Sequence, residues 1–116
     1  MRNNKLHTSK LAECVHGDQS GSSWYFWCPG CDEIHNYIVR NNGHRPAWVF
    51  NGNHHSPSFT PSLLHPSKTP LCHLFVTNGK IDYCGDCGHA LAGKTIDMVD
   101  FPEYWANYFS STESES

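Results

Sequence analysis

Cysteine and histidine are more abundant in this sequence than packing alone requires, with six Cys and nine His in 116 residues. The first cluster is Cys28-Pro29-Gly30-Cys31, with His35 four residues later. Pro and Gly bend such a turn so that both sulfurs face one centre, and its free N–H groups can bond the thiolates. Further on come Cys72, His73, Cys84 and the run Asp86-Cys87-Gly88-His89. The candidate metal ligands are therefore Cys28, Cys31, His35, Cys72, His73, Cys87 and His89, more than one tetrahedral zinc accepts. A closed structural site takes four of them. An open site takes three and leaves a position for water, whose pKa zinc lowers to roughly 7. In an open site Asp86, the acidic residue inside the cluster, is the expected general base, with Glu33 as second candidate. His73, or the hydroxyl loop carrying Ser58, Thr60 and Ser62, would steady the oxyanion. There is no His-Glu-x-x-His and no His-x-Glu paired with Pro-Cys-x-x-Cys, which disfavours zincin proteases and nucleobase deaminases. A redox Cys-x-x-Cys needs a helical pattern behind it, and none follows.

These residues have to be positioned by short strands. Trp24-Tyr25-Phe26-Trp27 has strand character and runs into the Cys28 turn, and Ile34, Tyr37, Ile38 and Val39 predict a returning strand. Trp48-Val49-Phe50 is a short apolar strand. Pro57 and Pro61 hold the hydroxyl loop extended. Asn78-Gly79 between Leu71–Thr77 and Lys80–Cys84 predicts a two-residue hairpin. That turn pairs Val76 with Ile81 and Leu74 with Tyr83 on a buried face. His73 then points to the opposite face, with Phe75 and Cys84, and diverges from Cys72. Phe101, Tyr104, Trp105, Tyr108 and Phe109 fall on one stripe of a C-terminal helix opened by Asp100 or Pro102.

Composition sets the frame. Hydrophobic residues make up 38% of the chain, a modest core for one domain of this size, and metal is a common supplement to such cores. The formal charge of −3 gives no basic field for nucleic acid. No signal-peptide-like start and no membrane-length apolar run is present, so a cytoplasmic location is expected (host cytoplasm if phage-encoded). In that setting the cysteines read as thiols or metal ligands rather than disulfides. The expected organisation is a polar N-terminal segment (1–22), a zinc-binding domain (23–109) and a disordered acidic tail (110–116).

The ordered motifs resemble a family of small phage and bacterial zinc-binding proteins often mislabelled ammonia monooxygenase. The resemblance rests on Cys28-Pro29-Gly30-Cys31 with His35; Trp48, Phe50, Asn51 and Gly52; and Pro57-Ser58-Phe59-Thr60-Pro61-Ser62. It continues through Cys72-His73 with Phe75-Val76, Gly79-Lys80-Ile81, and Asp86-Cys87 with His89-Ala90-Leu91-Ala92-Gly93, spanning residues 24–101. Cys84 stands where that family usually has an apolar residue, and Ser58 and Thr60 exchange its usual Thr and Ser. Relatives lie in bacterial ubiquitination-like (Bub) operons, beside a ubiquitin-like protein and activating-like and conjugating-like enzymes. Among them, BubD looks like a zinc-dependent peptidase.

The expectation is thus an α+β fold of short antiparallel strands with a C-terminal helix, stapled by zinc. The expected activity is zinc-dependent hydrolysis, processing or deconjugating a ubiquitin-like protein, with a protein or peptide as substrate. The alternative is a non-enzymatic zinc module that binds a host or phage protein. Metal count and oligomeric state stay open.

Overall fold

In the computed structural model, residues 4–41, 47–65 and 71–110 are described. Two antiparallel sheets and one helix build the α+β fold expected from the sequence. The first sheet runs in the order β1 (Asn4–Thr8), β2 (Leu11–Val15), β3 (Gly21–Cys28), β4 (Glu33–Arg40). The second runs β5 (Val49–Phe50), β6 (Phe59–His65), β7 (Cys72–Thr77), β8 (Lys80–Tyr83), β9 (Thr95–Asp97). The helix, α1, is Glu103–Ser110. Among the described residues no helix is long and apolar enough to cross a membrane. Residues 111–116 of the tail expected to be disordered lie outside the described residues.

Period-two patterning explains the layers. In β3, Trp24, Phe26 and Cys28 face inward; in β7 and β8, Leu74, Val76, Ile81 and Tyr83 do the same. These faces close on each other, and Tyr37 of the first sheet stacks on Phe59 of the second with ring centroids 4.4 Å apart. Both rings are fully buried, and burying a Phe side chain such as Phe59 contributes about 1.5–3 kcal/mol. On its other face the first sheet meets Phe101, Trp105 and Phe109, so the layers are sheet, sheet, helix. Tyr104 and Tyr108, on the same helical stripe, stay exposed because the short helix touches the sheet along only part of it.

The Asn78-Gly79 hairpin forms as expected: Val76 pairs with Ile81 and Leu74 with Tyr83, and both turn residues have positive φ. Residues 4–15 of the polar N-terminal stretch form β1 and β2, and β2 pairs with β3. The β6–β7 ladder is irregular. Phe59 faces Val76 and Leu63 faces Leu74, so four steps along β6 answer two along β7. Such a bulge bends a strand and re-aims its side chains. Here it contains Ser62.

Candidate active site and metal centre on opposite faces of β7

Neighbouring residues of a strand point to opposite faces, and β7 uses this to separate two sets of chemistry. Cys72 is buried between the sheets, whereas His73 is half-buried on the outer face.

On the inner face, ligand atoms of Cys28, Cys31, His35 and Cys72 all lie within 4.8 Å of one another. Cys28 ends β3, Cys31 lies in the turn and His35 sits in β4, so the turn expected to bind metal and the strands flanking it supply three of the four. The Cys28 and Cys72 sulfurs are 3.9 Å apart, and all six cysteines are free. A disulfide needs about 2.05 Å. Two thiolates on a tetrahedral zinc, each about 2.3 Å from it, stand about 3.8 Å apart. Spacing and donor types therefore fit a zinc ion. The hydrogen bond from Cys72 holds Cys28 below the usual thiol range, assisted by His35 and Tyr83. Cys72 is pushed up in turn, first through that same bond. The two shifts have one origin, the contact between the two sulfurs.

His89 approaches this centre from outside. Its Nδ1 accepts the Leu91 N–H at 3.2 Å, which leaves the proton on Nε2, 3.7 Å from the Cys72 sulfur. The ring meets Tyr83 edge-on, and the Tyr83 hydroxyl lies 3.2 Å from the Cys28 sulfur. A Cβ on Gly30 would come within 2.4 Å of the His89 ring, so the glycine of the turn leaves room for the imidazole. Cys87, another expected ligand, can join Cys72 and His89 in a metal-sized group. Its sulfur is nevertheless engaged with the His73 backbone, accepting the N–H at 3.3 Å and donating to the carbonyl at 3.0 Å.

On the outer face the arrangement is linear. Ser62 Oγ lies 3.0 Å from His73 Nε2, and His73 Nδ1 lies 3.1 Å from Asp86 Oδ2. The serine comes from the β6 bulge, the histidine from β7, and the aspartate from the turn after β8. Cys87 pins that turn against β7, and the Cys84 N–H adds a bond to the His73 carbonyl at 2.9 Å. The Trp48 indole donates to the Ser62 carbonyl at 3.1 Å, fixing the other end. A hydroxyl, an imidazole and a carboxylate so linked let the imidazole draw the proton from the hydroxyl while the carboxylate fixes its tautomer.

Ser58 and Thr60, the other hydroxyls of the expected substrate loop, make their own contacts. Ser58 accepts the Asn78 N–H at 2.8 Å and ties the loop to the hairpin turn. Thr60 is exposed and paired with Val49. Ser62, read from sequence as part of a substrate loop, is the nucleophile candidate. The parity that sends His73 outward was the signal available for it.

Residues 2–84 match the sequence model of the family described as "Bacterial ubiquitination-like system serine protease (BubE)". The matched span includes Ser62 and His73 and ends two residues before Asp86. No curated protein and no solved structure matches the chain. The ubiquitination-like connection expected from the motifs is thereby supported, through BubE rather than BubD. A serine protease description overturns the expected zinc-dependent hydrolase, with its zinc-bound water and Asp86 as general base. It also gives no support to the non-enzymatic alternative.

Proposed function

The chain belongs to the BubE family of bacterial ubiquitination-like system serine proteases, and from that premise we propose that it cleaves peptide or isopeptide bonds with Ser62, His73 and Asp86 as its catalytic triad. One observation carries the assignment: the unbroken run of hydrogen bonds from Ser62 Oγ through both imidazole nitrogens to the Asp86 carboxylate.

The chemistry follows from the geometry. Asp86 accepts from Nδ1–H, so the Nε2 lone pair faces Ser62. As Ser62 Oγ attacks the substrate carbonyl, Nε2 takes its proton, and Asp86 stabilises the imidazolium. The imidazolium returns the proton to the departing amine, leaving an acyl group on Ser62. Water, deprotonated by the same nitrogen, then releases the acid. The substrate is a protein; a ubiquitin-like protein, trimmed at its C-terminus or removed from a conjugate, is the reading that the family description supports.

Zinc takes a different place in this reading. Cys28, Cys31, His35 and Cys72 would hold it in a closed set of three sulfurs and one nitrogen, with no position for water. When bound, it supplies a cross-link and no step of the reaction. Those residues would thereby tie the β3–β4 turn of the first sheet to β7 of the second, one residue from His73. His89 and Tyr83 would donate to its thiolates, an arrangement that orients ligands and strengthens metal sites.

A fluorophosphonate probe tests the triad. The expected result is one adduct, on the Ser62 peptide, absent in Ser62→Ala, together with cleavage of a C-terminally extended ubiquitin-like protein that the same variant cannot perform. Labelling elsewhere, or full cleavage by Ser62→Ala, refutes the assignment.

A further inference from the structure

His73 and Asp86 have a third neighbour that peptide cleavage does not use. The Cys84 sulfur, a His73 ring nitrogen and an Asp86 carboxylate oxygen all lie within 4.8 Å of one another. The three side chains share the outer face of the second sheet. They are separate from the Cys28 centre, from which β7 divides them.

The chemistry of the trio favours a cation over a second nucleophile. Burial pushes the Cys84 thiol up, and Asp86, Cys87 and Asp82 push it further. A raised thiol holds less of its nucleophilic thiolate form. The same carboxylates that oppose a thiolate alone attract a divalent ion. One sulfur, one imidazole and one carboxylate is the donor number of an open zinc site, and a sulfur in the set selects zinc or cadmium over magnesium or calcium. Ligand atoms around a tetrahedral zinc stand about 3.3–3.8 Å apart. Small side-chain movements therefore close the set.

We propose that His73, Cys84 and Asp86 form a second, inhibitory site for a thiophilic divalent cation such as zinc. The site itself stands on the three side chains; its inhibitory effect rests on the triad reading. Asp86 faces Nδ1, so the metal takes the Nδ1 lone pair. The proton formerly on Nδ1 moves through solvent to Nε2, and the Cys84 thiol releases its own proton to solvent, a net release of one proton per ion. Nε2–H then donates to Ser62 Oγ, where catalysis requires it to accept. Asp86 is held by the metal and no longer supports an imidazolium. Zinc at the Cys28 centre thus sustains the fold, while excess zinc at Cys84 stops turnover.

The test adds zinc chloride to protein that already carries its first equivalent. Equilibrium dialysis should show a second, weaker zinc, and fluorophosphonate labelling of Ser62 should fall as it binds. In Cys84→Ala the second zinc should weaken by about ten-fold or more, since even partners of ligands cost that much. The zinc needed for half-inhibition, each variant against its own zinc-free rate, should rise by the same factor. Cys84→Ser, closer in size, serves if the alanine variant misfolds. No second zinc in the wild type, or an unchanged second zinc in both variants, overturns the site. Binding is read without catalysis. A chain that binds the second zinc through Cys84 but never labels at Ser62 refutes the triad and the inhibition with it. A chain that labels but binds no second zinc refutes the site alone.

Discussion

Replacing Asp86 with Asn should harm turnover more than replacing it with Ala. The carboxylate lies 3.1 and 3.2 Å from His73 Nδ1, and its side chain is 56% exposed. When His73 takes the Ser62 proton, an ion pair forms across that distance. Two unit charges so placed attract by about 5 kcal/mol at an effective dielectric constant of 20, and by about 1.3 kcal/mol in bulk water. The exposure of Asp86 places the pair near the watery limit, so Ala should lose about 2 kcal/mol of transition-state stabilisation, roughly thirty-fold in rate. Asn loses the same charge and adds a second fault. Its amide N–H donates to Nδ1 and holds His73 in the tautomer whose Nε2–H cannot accept from Ser62. In a buried triad that fault costs about 10⁴-fold; at this exposed carboxylate, about two to three orders of magnitude are expected. Initial rates of cleavage of a C-terminally extended ubiquitin-like protein measure both variants, with zinc content as the control for an intact fold. An Ala variant slower than Asn refutes the tautomer argument. Rates within about threefold of wild type for both would refute the catalytic role of Asp86.

Cys28→Ser should release the metal and lower the melting temperature by about 10 °C or more, as should chelation, on the scale of about 4–8 °C per kcal/mol; Cys14→Ser should stay within about 0.5 kcal/mol. Gly30→Ala should cost about 1–3 kcal/mol by displacing the His89 ring, read from the denaturant midpoint and accompanied by weaker zinc binding; wild-type values for both would show that His89 does not pack there. Asp100 is held below its ordinary 3.8, first by the Ser9 hydroxyl and then by Lys10. A depressed carboxyl stabilises above its unfolded pKa and loses that contribution as pH falls through the folded one. Melting curves below about pH 4 should therefore fall more steeply for wild type than for Asp100→Asn, and parallel curves would contradict this.

The second sheet was more legible in the sequence than the first. Asn78-Gly79 fixed a register, and the register fixed which of Leu74, Val76, Ile81 and Tyr83 were buried. The cysteine turn announced itself through two sulfurs, a Pro and a Gly. By contrast, β1 and β2 carry little apolar alternation: Leu11 and Ala12 are adjacent and both buried. Their strand character comes from pairing with β3 rather than from local pattern. The proposed triad stayed hidden because Ser62 reaches His73 only through the bulge in β6, and no local signal marks a two-residue slip. Parity had separated Cys72 from His73, but the surplus of Cys and His still read as metal ligands, with the number of metals left open. In the fold that surplus divides between a metal-sized cluster inside, residues packed beside it, and the hydrogen-bonded run from Ser62 through His73 to Asp86 outside.

The two faces of β7 also bind the protein's history. A slip of one residue in the register of this strand exchanges the faces, sending the Cys72 thiol toward Ser62 and the His73 imidazole to the interior. Such a slip loses both proposed chemistries together. An inserted residue parts them only where it falls between Cys72 and His73, or where a bulge absorbs it, as one does in β6. Elsewhere in the strand, substitution of one residue at a time is the route by which the two faces change separately.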